Sequence, residues 1–106
     1  MEKRLTLNAY QAAAMSTASA DSDIVTAALG LAGEAGEVCD HIKKWRNQGH
    51  HFDHVLLLEE LGDCLWYCAL AARELGVTLE DVANENVLKL QRRYPAGFSV
   101  ERSVNR

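Results

Sequence analysis

The sequence predicts an all-α protein, a four-helix bundle whose copies assemble into a homo-oligomer. Four segments place apolar side chains at helical spacing, and no segment alternates apolar and polar residues in the way a strand does. The connections between these segments are short, so neighbouring helices should run antiparallel. A chain of 106 residues also leaves much of its surface exposed, and oligomerisation is a common way to bury more of it.

The first helix is predicted from about Leu7 to Ser19, with Thr6 as its N-cap and an alanine-rich body. The polar stretch from Ser19 to Asp23 is typical of a turn. Asp21 or Ser22 can cap the second helix, because Asp and Ser side chains accept hydrogen bonds from the free N–H groups of a first helical turn.

The second helix is predicted to end near Asn47, with Gly49 as its stop signal. Its apolar residues repeat at intervals of three and four, the pattern of a helix that buries one side. The predicted core stripe consists of Leu31, Ala35, Val38, Ile42 and Trp45.

The third helix is predicted from Asp53 to near Gly76 and is apolar around most of its circumference. A helix with this pattern is usually buried. In so small a domain we expect it to be the central helix and to face another subunit with part of its surface.

The fourth helix is predicted to begin at a capping box, in which Thr78 is the N-cap and Asp81 replaces the usual Glu. It should end near Arg93, because the residue before Pro95 is restricted to extended conformations. We assign residues 1–98 to one domain and residues 99–106 to a loose C-terminal tail.

The charge and cysteine content restrict the partners and the compartment. A net charge of -4 argues against a nucleic-acid polymer or an anionic membrane as the main partner, although a nucleotide neutralised by metal and basic groups is compatible with it. No apolar stretch reaches the ~18 residues of a membrane span, and no secretory signal pattern is present. Cys39, Cys64 and Cys68 lie within apolar helical patterns, which indicates ordinary thiols in a reducing compartment. We therefore expect a cytoplasmic protein.

Two short pairs of carboxylates, Glu34 with Glu37 and Glu60 with Asp63, are the strongest indication of function. Residues three apart on a helix share a face, so each pair points two acids in one direction. Crowded carboxylates favour a compensating cation, and hard oxygen ligands suit Mg²⁺ or Mn²⁺ better than Zn²⁺. Two such pairs facing each other would form a divalent-cation cage. The alternative is that each pair lies on a solvent-exposed helix face and binds no ligand.

The surroundings of the two pairs favour the cage. Gly30, Gly33 and Gly36 accompany the first pair, although each Gly inside a helix costs about 1 kcal/mol relative to Ala. Close helix packing and room for a ligand both explain them. Glu60 and Asp63 interrupt an apolar surface, where an unpaired carboxylate is unfavourable.

Basic groups on the fourth helix indicate a polyphosphate ligand, and such a ligand would explain why the protein binds a metal ion. Asn86, Lys89, Arg92 and Arg93 can place an amide and several cations along one side, as recognition of a polyphosphate requires. The alternative is a basic last turn that complements the helix dipole.

Aromatic and histidine residues are weaker candidates for ligand contacts than the carboxylates and the basic groups. Trp45, Phe52, Trp66 and Tyr67 lie at helical spacings that more often indicate core, and among them Trp66 is retained as a candidate nucleobase contact. The histidine-rich connection from His50 to His54 lacks a firm ligand geometry for zinc and is expected to be a solvated turn near the mouth of the site.

Three stretches of the chain, in order, resemble those of a known family. They are Gly30-Leu-Ala-Gly-Glu34-Ala-Gly-Glu37, Glu59-Glu60-Leu-Gly-Asp63-Cys-Leu-Trp66-Tyr67 and Asn86-Val-Leu-Lys89-Leu-Gln-Arg-Arg93-Tyr-Pro95. From about Asn8 to Phe98 the chain looks like the MazG-like family of all-α nucleotide pyrophosphohydrolases, in its short single-domain form.

The resemblance implies an enzyme that hydrolyses an NTP or dNTP to the monophosphate and pyrophosphate in nucleotide-pool house-cleaning, as a homodimer or homotetramer. It implies a Mg²⁺ site made by Glu34, Glu37, Glu60 and Asp63. It also implies phosphate and sugar contacts from Lys44, Asn86, Lys89 and Arg93, with Lys43 an equally placed alternative to Lys44.

One carboxylate beside the metal is expected to take a proton from the attacking water. Glu37 is our choice for this base, and Glu59 is the alternative. A bundle that binds nucleotide and metal without turnover is the rival interpretation. A di-metal redox protein is disfavoured, because it requires Glu-x-x-His pairs and the sequence contains none.

Overall fold

The computed structural model describes residues 4–106, and over that range the chain forms five α-helices and no β-strand. The helices are α1 (Leu7–Met15), α2 (Ile24–Gln48), α3 (His54–Glu74), α4 (Leu79–Arg93) and α5 (Val100–Val104). The predicted all-α class is confirmed, with one short helix beyond the four predicted. Within the described range no helix is long and apolar enough to cross a membrane.

Side-chain caps at the helix starts confirm most of the predicted boundaries. Thr6 accepts a hydrogen bond from the backbone N–H of Ala9 at 3.0 Å and so begins α1. Thr78 and Asp81 form the predicted capping box at the start of α4. Gly49 and Gly76 follow α2 and α3 with φ angles of 73° and 74°, the left-handed conformation that glycine adopts without strain.

The predicted N-cap of α2 at Asp21 or Ser22 is wrong, because Asp23 fills that position. The Asp23 carboxylate accepts a hydrogen bond from the Thr26 N–H at 2.9 Å. This bond and that from the Thr26 hydroxyl hold the pKa of Asp23 below its usual value. Ser22 instead closes a turn with Ser19, which moves the start of the helix further along the chain.

The first helix is also shorter than predicted, since it ends at Met15 and not at Ser19. The hydroxyls of Ser16 and Thr17 each donate to a carbonyl oxygen three residues back, at 2.6 Å. Such local hydrogen bonds compete with continuation of a helix.

The tail predicted to be loose contains helix α5. Ser99 caps it by accepting a hydrogen bond from the Arg102 N–H at 3.3 Å. The guanidinium of Arg102 donates to the carbonyl oxygens of Arg92 and Arg93. These carbonyls lie at the end of α4, where no helical N–H is available to them. The composition of the tail did not show that Arg102 would donate these hydrogen bonds.

Helix α3 is central, as predicted, and packs against α1, α2 and α4. One buried cluster joins Ala14 of α1, Ala69 and Ala72 of α3, and Leu79 of α4. The indole N–H of Trp66 donates to the Ala14 carbonyl at 3.1 Å and to the Thr17 hydroxyl at 2.9 Å, and thereby fixes the end of α1 on α3.

The contact face of α2 differs from the predicted core stripe. Leu31 and Val38 are half-buried, whereas Ala35, Ile42 and Trp45 are exposed. The face that meets α3 instead includes Ala27, which is buried, together with Gly30 and Glu34. The predicted stripe was drawn through apolar residues alone and therefore did not include Glu34, which lies on the face that meets α3.

Candidate active site

Three of the four predicted carboxylates meet between α2 and α3. Glu34 on α2 and Glu60 and Asp63 on α3 each place one carboxylate oxygen within 4.8 Å of the other two. The short connection closed by Gly49 folds α2 back against α3, and the helical spacing of Glu60 and Asp63 points both toward Glu34. The prediction that the two pairs face each other holds for these three residues.

Glu60 is the most perturbed member of this group. Its Oε2 atom is buried and has no hydrogen-bond partner in the described part of the chain. The pKa of Glu60 is raised, first because the Glu34 carboxyl lies within hydrogen-bonding reach and then because of burial. The charges of Glu34, Glu37 and Asp63 add to the shift.

The three carboxylates have the chemistry of a site for a hard divalent cation. A buried oxygen without a partner is unfavourable, and like charges at this separation repel. A cation such as Mg²⁺ or Mn²⁺ relieves both effects at once, because it takes carboxylate oxygens as ligands. The residues present therefore fit the predicted metal.

A cleft of about 280 Å³ opens beside the carboxylates and is lined by Glu34, Asp63, Trp66 and Tyr67. The rings of Trp66 and Tyr67 pack edge to face, with centroids 5.0 Å apart. Trp66 thus lines the cleft, as expected of a nucleobase contact, and also anchors α1 through its N–H. The two acids and the two aromatic rings therefore line the same cleft.

Tyr67 explains one of the three glycines of α2. A Cβ atom at Gly30 would overlap the Tyr67 ring, whereas a Cβ at Gly33 or Gly36 would meet no atom within 4 Å. Close packing is therefore the explanation for Gly30. Gly33 and Gly36 lie beside open space.

Two further residues lie near the acids, and the sequence analysis placed neither of them there. Tyr10 of α1 has a raised pKa, because of burial and then the charge of Asp63. Cys64 has a raised pKa, because of burial and then the charge of Glu34. No spacing rule links Tyr10 to this site, since α1 reaches it only through tertiary packing.

The other two predicted acids lie outside the group of three. Glu37 and Glu59 are exposed, on α2 and α3 respectively. Glu37 is still close enough for its charge to raise the pKa values of Glu60 and Lys44. Glu37 therefore lies at the edge of the cluster.

Lys44 is paired within its own helix. Its ammonium group contacts the Asp40 carboxylate at 2.7 Å, and Lys43 contacts the same residue at 3.4 Å. The pKa of Lys44 is raised mainly by the hydrogen bond to Asp40, and the pKa of Asp40 is lowered by the same bond. Both lysines are therefore held by Asp40, and the structure does not distinguish between them as phosphate contacts.

The candidate contacts on α4 line two other cavities. Asn86 and Lys89 border one of about 320 Å³ together with Arg92. Arg93 borders another of about 370 Å³, whose lining includes Arg102. Neither cavity is lined by the clustered acids.

The histidines and cysteines form no metal group among the residues described. His41 Nε2 accepts a hydrogen bond from the Asp53 N–H at 3.3 Å, which ties α2 to the start of α3. His50 and His51 are exposed, and the His54 ring packs on Phe52 at 4.9 Å.

Comparison with known proteins gives one family and one curated relative. The model of the MazG nucleotide pyrophosphohydrolase domain matches residues 23–98. The chain is 37% identical over 103 residues to the Gene 37 protein of Mycobacterium phage L5, covering 83% of this chain and 88% of the phage protein. The name of the phage protein states no activity. No solved structure matches the chain significantly.

Proposed function

The chain belongs to the MazG nucleotide pyrophosphohydrolase domain family, and from that premise we propose that it hydrolyses an NTP or dNTP to the monophosphate and pyrophosphate with Mg²⁺. The observation that carries the proposal is the cluster of Glu34, Glu60 and Asp63, with its buried, unpartnered Glu60 oxygen. A structural role alone does not account for three acids brought together at a helix contact.

The cluster residues would hold the cation, with Glu37 at their edge as a fourth ligand or as the base. When bound, the cation neutralises triphosphate charge and lowers the pKa of a water molecule. Glu37 is exposed and adjacent, so its carboxylate is our candidate to accept the proton from the attacking water. Glu59, also exposed, is the alternative.

The aromatic wall of the cleft supports a nucleotide as the ligand. Trp66 and Tyr67 present rings beside Glu34 and Asp63, so a nucleobase can stack while its phosphates approach the acids. Because the indole N–H of Trp66 is already bonded within the chain, we assign Trp66 a stacking role and no hydrogen bond to the base.

We assign the phosphate and sugar contacts to Lys44, Asn86, Lys89 and Arg93, within a homodimer or homotetramer. Residues 89–106 carry five basic side chains and one acidic one, although the whole chain has a net charge of -4. The cavities of α4 are separate from the acid cleft. A second subunit that brings its α4 to the acids would balance the charge of both.

The experiment is a panel of canonical and modified NTPs and dNTPs with Mg²⁺, in which pyrophosphate and orthophosphate are measured separately. We expect pyrophosphate from at least one substrate, and no product when EDTA removes the cation. Orthophosphate as the sole product would contradict the cleavage position. Binding without any product would favour a regulatory bundle that holds nucleotide and metal.

A further inference from the structure

The end of the chain carries a positive charge that the rest of the chain does not share. Residues 89–106 contain five basic side chains and one acidic one, which gives this segment a net charge of +4. Because the whole chain has a net charge of -4, residues 1–88 carry a net charge of -8. A charge separation of this size within 106 residues indicates a place where an anion binds.

Four of these five basic side chains border one cavity of about 370 Å³, between the end of α4 and α5. Helix α5 brings them together. The guanidinium of Arg102 donates to the carbonyl oxygens of Arg92 and Arg93, and these bonds hold α5 against the last turn of α4. The complete lining of the cavity is Arg92, Arg93, Glu101, Arg102, Asn105 and Arg106.

The four arginines of this cavity have no counter-ion within the described part of the chain. The ion pairs found there belong to Lys43, Lys44 and Arg73. Glu101 borders the cavity but forms no ion pair with any of its arginines. Like charges gathered around one space repel each other, and an anion bound among them relieves that repulsion.

The lining indicates which class of anion fits. The planar guanidinium group of arginine donates two parallel hydrogen bonds to the oxygens of a phosphate. The described residues that line the cavity include no aromatic side chain, so a nucleobase has no ring to stack on. The backbone of a nucleic-acid polymer would extend over a surface whose net charge is negative. The cavity therefore suits a small inorganic anion with more than one phosphate group.

We propose that the cavity between α4 and α5 binds inorganic pyrophosphate through its four arginines, without a metal ion. The two linked phosphate groups of pyrophosphate can contact more guanidinium groups at once than a single orthophosphate can. This site goes beyond the proposed function, because it uses neither the cation nor the acid cluster. Since the proposed reaction releases pyrophosphate, the site would fill as product accumulates. That consequence rests on the proposed function, whereas the binding itself does not.

The first test is calorimetric titration of the metal-free protein with sodium pyrophosphate in EDTA. We expect one pyrophosphate per chain. Arg92→Gln and Arg106→Gln should each raise the dissociation constant about tenfold or more, because each removes charged hydrogen bonds to the anion. These two side chains are chosen because Arg93 is already a candidate substrate contact and Arg102 holds α5 in place.

Arg46→Gln is the matched control, since Arg46 is exposed on α2 and does not border the cavity. It removes the same charge from the chain and should bind pyrophosphate like the wild type. The side chains of Arg92 and Arg106 are exposed, so the helical circular dichroism of both variants should be unchanged. No binding by the wild type, or wild-type binding by both cavity variants, would overturn the proposal.

A second set of titrations separates this site from the acid cleft. Asp63→Asn should bind pyrophosphate in EDTA with the dissociation constant of the wild type. Loss of binding in Asp63→Asn, or wild-type binding only when Mg²⁺ is present, would place the anion at the acids and overturn the proposal. Because these titrations measure no turnover, a failure of the proposed hydrolysis would not alter their outcome.

A third set of titrations tests the class of ligand with orthophosphate, a nucleoside monophosphate and a single-stranded oligonucleotide. Pyrophosphate should bind at least about tenfold more tightly than orthophosphate, because it meets more of the arginines. The nucleoside monophosphate should bind no more tightly than orthophosphate, since the cavity offers its base no ring. Tighter binding of the monophosphate or of the oligonucleotide than of pyrophosphate would overturn the assignment.

Discussion

At the scale of single residues, Glu60 determines the character of the site. It has a buried, unpartnered oxygen and a raised pKa, and its carboxylate lies close to those of Glu34 and Asp63. The unpartnered oxygen and the crowding of carboxylates are unfavourable in the metal-free protein, and a bound cation would relieve both.

Removing charge from the cluster, or from Glu37 at its edge, should abolish activity without unfolding the chain. Asp63→Asn and Glu37→Gln are each expected to lower Mg²⁺-dependent turnover at least about a hundredfold, because a ligand or the base is lost. The helical circular dichroism should be unchanged. Asp21→Asn is the control, since Asp21 is exposed and lies outside the cluster. Full activity in either site variant would remove that residue from the mechanism.

The raised pKa of Glu60 predicts proton release on metal binding. Its ordinary value is 4.5, and the stability that the protonated form contributes is complete below that pH and lost as pH rises through the folded value. Mg²⁺ needs the ionised form, so binding near the folded pKa should displace a proton. Calorimetry in two buffers with different ionisation enthalpies measures this release. Glu60→Gln should bind more weakly and release fewer protons; unchanged release would contradict the assignment.

At the scale of helices, the α2–α3 hairpin positions the site, and much of it was predictable from sequence. Asp53 and Gly49 mark helix boundaries through local hydrogen bonding and backbone conformation, so local patterns located them correctly. The face of α2 was misassigned, because Glu34 lies inside the contact. A rule that puts only apolar residues inside a helix contact overlooks an acid such as Glu34.

Two glycines of α2 should respond in opposite directions to the same substitution. Gly30→Ala is expected to lower the free energy of unfolding by about 1–3 kcal/mol, because its methyl group overlaps the Tyr67 ring. Gly36→Ala should raise it by up to about 1 kcal/mol, since the position is open and alanine favours a helix. Urea unfolding measures both. A stabilised Gly30→Ala variant would contradict the packing of Tyr67.

Trp66 should act on stability as well as on the substrate. Trp66→Phe loses the indole hydrogen bonds to Ala14 and Thr17, and we expect the free energy of unfolding to fall by about 1–2 kcal/mol. Because the smaller ring of Phe would stack less well on a nucleobase and takes no part in the chemical step, KM should change more than kcat. Unchanged stability in urea unfolding would show that the anchor to α1 is unimportant.

At the scale of the whole molecule, the chain exposes 7989 Å² of surface, whereas a folded monomer of its mass exposes about 5,900 Å². The apolar circumference of α3 led to the prediction of a subunit contact, but the sequence did not distinguish which part of α3 is covered by α1. The position of Tyr10 near Asp63 and the separation of α4 from the acids also depend on tertiary packing. Contacts between distant segments of the chain leave no spacing pattern in the sequence.

The most direct test of the central claim is to identify the products of hydrolysis in ¹⁸O-labelled water with Mg²⁺. Attack of water at the α-phosphorus predicts a nucleoside monophosphate that carries the label and a pyrophosphate that does not. Label in the pyrophosphate, or release of orthophosphate with a nucleoside diphosphate, would contradict the account.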